Sequence, residues 1–93
     1  MVGGTSRGFV VRLLHVEVHP SALKHGLGVE DIQHAVRNAM ASDDLGDDLR
    51  LYLGPSRSAS LIEVVVIVRR GRSELAIHAM PMREKYRRLL PGV

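Results

Sequence analysis

Residues 61–68 read Leu-Ile-Glu-Val-Val-Val-Ile-Val, an almost wholly apolar run rich in β-branched side chains. Such side chains pack well on a pleated surface, and the run has the length of a strand rather than a helix. Turn formers bound it on both sides: Gly54-Pro-Ser-Arg-Ser-Ala-Ser60 before it and Arg69-Arg-Gly-Arg-Ser73 after it. It is therefore expected to be the most buried strand, central in a sheet and flanked by strands on both sides. Val64, Val66, Val68, Leu75 and Ile77 form the expected core. Glu63 is the one charge in the run. A buried, unpaired carboxylate is too costly. Glu63 is thus expected either to pair with a base such as Lys24 or Arg50, or to face solvent at an edge.

The flanking segments complete a pattern. Residues 9–18 hold the alternation Leu14-His-Val-Glu-Val18, expected to be a half-buried strand. His19-Pro20 breaks it, and Pro20 suits the start of a short helical turn closed by Gly26. Residues 29–40 form the clearest helix, with Val29, Ile32, Ala35, Val36, Ala39 and Met40 on one stripe. Glu30 and Asp31 lie in its first turn, where acids favour the helix dipole. Ser42-Asp-Asp-Leu-Gly-Asp-Asp48 reads as an acidic, solvated loop, and residues 49–53 as a strand. In residues 74–80, alternation places Leu75, Ile77 and Ala79 on one face and Ala76, His78 and Met80 on the other. Pro81 opens a final helix over residues 82–90, with Met82, Tyr86, Leu89 and Leu90 toward the core. The expected fold is α+β: a small antiparallel sheet of about four strands, in the order β-α-α-β-β-β-α, with helices packed on it.

The length of 93 residues suits one domain. The expected division is a flexible N-terminal tail over residues 1–8 and a single domain over 9–93. Only Phe9, Tyr52 and Tyr86 are aromatic, so aliphatic side chains must build the core. The absence of cysteine excludes disulfides, thiolate metal sites and a cysteine nucleophile. No apolar stretch approaches the roughly 20 residues that span a bilayer, and the first residues lack the apolar segment of a secretory signal. A cytoplasmic location is expected. Charge is unevenly placed. Residues 1–49 hold four Lys/Arg against seven Asp/Glu, net −3, and residues 50–93 hold nine against three, net +6. The basic half suits phosphates or an acidic protein.

Two stretches resemble a known family. Lys24-His25-Gly26-Leu27 followed by Val29-Glu30-Asp31-Ile32 is similar to a pattern of the BrnT-like branch of the RelE-type bacterial toxins, where it too lies between an early strand and an amphipathic helix. The run from Arg50-Leu-Tyr-Leu-Gly54 through residues 61–66 and Leu75-Ala-Ile-His-Ala79 to Arg83-Glu-Lys-Tyr-Arg-Arg88 looks like that family's strand meander and closing basic helix. The resemblance covers roughly residues 14 to 90. It implies a RelE/BrnT-like fold and the toxin component of a type II toxin–antitoxin system, a ribonuclease that inhibits translation. Its implied partner is a cognate antitoxin, often a ribbon-helix-helix DNA-binding protein. Homodimers, or heterotetramers with the antitoxin, are the assemblies to expect. The chain departs from the family at one place. Where the family's last strand ends in a basic pair, this chain has His78-Ala79-Met80-Pro81, with His78 at the family's serine position.

RNA cleavage without metal needs a base for the 2′-hydroxyl, an acid for the leaving oxygen and cations for the phosphate. His78, Arg83, Lys24 and Arg50 are the catalytic candidates, with His78 moving the proton. His25, Tyr52, Lys85, Arg87 and Arg88 are candidates for binding RNA or a partner. No cofactor is expected. His15 and His19, four apart on a strand, are too distant to share one ion, and Asp43, Asp44, Asp47 and Asp48 lack calcium-loop spacing. Two readings of different class stay open: a metal-independent endoribonuclease, and a non-catalytic protein-interaction domain of the same fold that has lost its nuclease residues. In the second, His78 is a packed strand histidine and His25 a helix-end cap.

Overall fold

The computed structural model describes residues 15–92. The expected tail and the first part of the strand expected from residue 9 lie outside the described residues. In chain order the elements are β1 (Glu17–Val18), a 3-10 turn (Pro20–Leu23), α1 (Val29–Arg37), β2 (Ala41–Gly46), β3 (Leu49–Pro55), β4 (Leu61–Ile67), β5 (Leu75–Pro81) and a C-terminal 3-10 helix (Glu84–Leu89). They form one five-stranded sheet in the order β1-β5-β4-β3-β2. Strands β2 to β5 form an antiparallel meander, and β1 joins the edge of β5 in parallel. The class is α+β, and β4 holds the centre as its composition dictates.

The expectation of a purely antiparallel sheet of about four strands is thus corrected to a mixed sheet of five. The added strand comes from the segment expected to be an acidic loop. Residues Ala41–Gly46 pair with β3, and Asp47 and Asp48 turn the chain with φ of +54° and +62°. Two consecutive positive φ values match the twist that a two-residue hairpin needs. The acids confuse a pattern reading because β2 is an edge strand whose residues 42–46 are exposed. Charges there cost nothing and discourage edge-to-edge pairing.

The two faces of the sheet carry different cover. Ile62, Val64, Val66, Ala76 and Ala79 pack against Ile32 and Ala35 of α1 and Ala22 of the 3-10 turn. The helix stops at Arg37 rather than residue 40. There Asn38 N–H bonds back to the His34 carbonyl at 3.0 Å, and Met40 N–H already donates to the Leu53 carbonyl at 2.8 Å. On the other face Leu51, Leu53, Leu61 and Val65 pack under Met82, Tyr86, Leu89 and Leu90. That apolar set is the one expected of a final α-helix over 82–90. The segment is instead a 3-10 helix, closed by bonds from Tyr86 N–H to the Arg83 carbonyl and from Leu90 N–H to the Arg87 carbonyl. It runs between Pro81 and Pro91, and Leu90 is held extended before the proline (φ −75°, ψ 144°), the conformation a following proline favours. Both faces of the sheet are thus covered.

Val64 and Val66 are buried as expected, whereas Val68, Leu75 and Ile77 are only half-buried. A bulge in β5 accounts for Leu75 and Ile77. Val65 pairs with His78 and Val66 with Ala76, so Ile77 is an extra residue. The bulge shifts the alternation by one. Ala76 and Ala79 both enter the α1-side core, a correction to the faces expected of strict alternation, and His78 points to the opposite side. The Ser21 hydroxyl donates to the Ile77 carbonyl at 2.7 Å, satisfying the acceptor at the bulge.

Candidate functional site

A buried carboxylate organises the site. Glu63 lies on the face of β4 that carries Val65, in register with Met80 and Leu53, and it is fully buried. Four donors converge on it. His78 Nε2 approaches Oε2 at 3.0 Å from the neighbouring strand β5. Arg83, just beyond β5, donates its backbone N–H to Oε1 at 2.9 Å, its Nε to both oxygens at 3.2 Å and its Nη2 to Oε2 at 2.7 Å. Glu63 therefore pairs, but with Arg83 and His78 rather than with Lys24 or Arg50. The bulge at Ile77 is what turns His78 to this face. Met80-Pro81 then carries the chain over the sheet end so that Arg83 returns above Glu63.

Around this carboxylate stand the solvent-facing groups. The His25 ring meets the His78 ring edge-on, with centroids 5.7 Å apart. The 3-10 turn Pro20–Leu23 packs on β5, and the exposed Lys24-His25 follows directly. The guanidinium of Arg83 and the ammonium of Lys85 lie 5.6 Å and 5.1 Å from the Tyr86 ring centroid, distances at which the ring attracts a cation. Arg83 keeps nearly half of its side chain in solvent, and its Nη1 has no partner among the described residues. His78 is about one quarter exposed. With Nε2 turned to Glu63, Nδ1 is the ring nitrogen left for other chemistry.

Of the candidate residues, His78, Arg83 and His25 gather at this end of the sheet, with Lys85 beside Tyr86 and Lys24 next in the chain to His25. Arg50 and Tyr52 do not. They lie on β3 in register with Val66 and Val64, on the α1 side. There Arg50 bonds Glu74 at 3.3 Å, and the Tyr52 hydroxyl donates to Glu74 at 2.8 Å. The expectation that Arg50 joins His78 and Arg83 is corrected by strand parity: residues 50 and 52 face opposite to Glu63. Arg87 is tied to Glu84 at 2.9 Å, and Arg88 is exposed. Glu74 was not singled out in the sequence, because a carboxylate at a strand start carries no distinguishing pattern. Among the described residues no three His, Asp or Glu side chains come close enough to share a metal ion, and no helix is long and apolar enough to cross a membrane.

The electrostatics follow from the contacts. Burial pushes the Glu63 carboxyl up, but the hydrogen bonds from Arg83 and His78 together outweigh it and hold the group below the ordinary value of 4.5. A carboxylate held low when folded adds stability above its unfolded pKa and loses it as pH falls through the folded one. The chain is therefore expected to lose stability on the acid side. Asp31, bonded to Arg57, and Glu17, bonded to Arg69, are also lowered and contribute in the same window. Urea unfolding of the wild type and of Glu63→Leu at neutral and acidic pH isolates the buried group. The variant should show the smaller difference between the two conditions, and equal differences would remove Glu63 from the account.

Fold and site together define a small α+β protein with a carboxylate-braced histidine–arginine cluster at one end of its sheet. No family model, no curated protein and no solved structure matches the chain.

Proposed function

We propose that this chain is the toxin component of a bacterial type II toxin–antitoxin system, a RelE/BrnT-like, metal-independent endoribonuclease that acts in the cytoplasm to inhibit translation. The observation that carries the proposal is the single buried carboxylate that holds an imidazole and a guanidinium side by side, with a second imidazole edge-on to the first. A carboxylate at Nε2 orients the His78 ring and leaves Nδ1 as the free ring nitrogen. Nδ1 then takes the proton of an RNA 2′-hydroxyl as that oxygen attacks the phosphorus, and returns it to the 5′-oxygen as the P–O5′ bond breaks to leave a 2′,3′-cyclic phosphate, while Arg83 Nη1 with Lys24 and Lys85 neutralises the phosphate. These are the parts that cleavage requires, and the family resemblance also places His78, Arg83 and Lys85 on the last strand and the closing segment. His78 supplies the proton chemistry for which the family uses its missing basic pair.

Growth tests the reading. Induced expression in a bacterium should arrest growth, and co-expression of a small protein encoded beside it should relieve the arrest. Growth at the uninduced rate with full-length protein present would count against it. The antitoxin is expected to contact the basic C-terminal segment, where Arg88 is exposed and Arg87, paired with Glu84, keeps about half of its side chain in solvent. Exposed charges mainly set on-rate and salt dependence. Association should therefore weaken as salt rises, and weaken further in an Arg87→Glu, Arg88→Glu variant.

A second reading, a non-catalytic interaction domain, is favoured by one observation. Arg83 gives its backbone N–H, Nε and Nη2 to Glu63, an arrangement that also serves simply to pin the C-terminal segment on the sheet.

A further inference from the structure

The α1 side of the sheet holds a feature unrelated to the Glu63 cluster. A cleft of about 410 Å³ opens between the end of α1, β3 and the turn before β5. Val16, Val36, Val68 and Tyr52 line it, and all but the buried Val16 are half-buried. Its polar walls are fixed by internal bonds. Glu74 is held by the Tyr52 hydroxyl and Arg50, which also prevents the Tyr52 ring from swinging. Arg69 is held by Glu17 at 2.9 Å and by the Ser73 carbonyl at 2.9 Å. His15 bonds Gln33. Two further lining residues, Arg37 and Arg72, are exposed and have no acidic partner within 4.0 Å among the described residues.

We infer that this cleft binds a nucleoside monophosphate, its base against the valines and Tyr52 and its phosphate between Arg37 and Arg72. Small-molecule sites are mostly apolar clefts of about 300–1,000 Å³ with a few placed polar groups, and this cleft falls within that range. A guanidinium fork matches phosphate in two-point contact, and two exposed forks lining one cleft favour a group of charge near −2. Glu74 offers a fixed acceptor for a ring amine. The same carboxylate repels the acidic side chains of a peptide, and a cleft of about 410 Å³ suits a small molecule rather than an extended chain. The inference does not depend on the ribonuclease reading, since the two sites lie on opposite sheet faces.

Titration of the full-length chain with adenosine monophosphate, adenosine and inorganic phosphate, followed by backbone amide NMR and calorimetry, tests the site. Adenosine monophosphate should saturate and move the signals of Val16, Val36, Tyr52 and Val68. Adenosine and phosphate alone should each bind about tenfold or more weakly, the loss expected when charge-assisted bonds or the buried ring are removed. An Arg37→Glu, Arg72→Glu variant should lose the binding while melting as the wild type does, because both side chains are exposed. Three results would overturn the inference: no saturable shifts with adenosine monophosphate, undiminished binding by the charge-reversed variant, or shifts confined to the His78 and Arg83 region. The last result would place the nucleotide at the Glu63 cluster instead.

Discussion

Replacing Gly54 with alanine is expected to destabilise the chain by about 3 kcal/mol. Gly54 lies in β3, in register with Ile62, at the point where α1 crosses the sheet. A Cβ there would overlap the Ala35 carbonyl oxygen and stand 3.0 Å from its carbonyl carbon and 3.1 Å from Ala39 Cα. The obstructing atoms are backbone, so no rotamer change relieves the overlap. The helix must lift, and Ile32 and Ala35, both fully buried, must lose part of their contact with Val64 and Val66. Overpacking usually costs roughly 1–3 kcal/mol, and an unyielding neighbour puts this case at the upper end. In a domain of this size the melting temperature should fall on the order of 15 °C. Thermal unfolding of Gly54→Ala checks this. A melting temperature within a degree or two of the wild type would mean that α1 does not press on the sheet as described.

Gly54 also shows where sequence reading runs out. It stands in Gly-Pro-Ser-Arg-Ser, a turn-rich string, and turn chemistry explains it fully until α1 is placed above it. Close backbone approach between elements distant in sequence leaves no local signature. The central strand was legible because its composition admits no other environment. So was the need for a partner at Glu63, since an apolar strand cannot bury a lone carboxylate. Which base answers it was not legible, because the bulge at Ile77 and the turn through Pro81 decide that, and neither is marked in the pattern of residues 74–80. The acidic strand β2 was missed for the opposite reason. Its residues suit water, and an edge strand asks nothing apolar of them. The C-terminal stripe of Met82, Tyr86, Leu89 and Leu90 was legible as a core-facing set, although the backbone that presents it is tighter than an α-helix. His78 and Arg83 were singled out together and lie together. Arg50 was grouped with them because spacing along a chain does not reveal which face of a neighbouring strand a residue takes.

The second large effect concerns His78. If Glu63 holds this imidazole as the proton-transfer group, His78→Gln should retain the fold and lose the chemistry. Glutamine keeps a side-chain N–H able to reach Glu63 Oε2, and the ring it replaces is about one quarter exposed. The four bonds from Arg83 to the same carboxylate remain in place. Stability should therefore change little. Proton transfer cannot be supplied by an amide, and general acid–base catalysis typically contributes roughly 10²–10⁴-fold. Arg83→Lys should be weakened as well, because a single ammonium cannot brace Glu63 and face a phosphate at once. The decisive measurement is the rate at which purified wild type and His78→Gln cleave single-stranded RNA in a metal chelator, with the melting temperature of each recorded alongside. The account predicts cleavage by the wild type, a loss on the order of 10²-fold or more in the variant, and closely matched melting temperatures. Equal cleavage rates by two equally folded proteins, or no cleavage by the wild type, would contradict it.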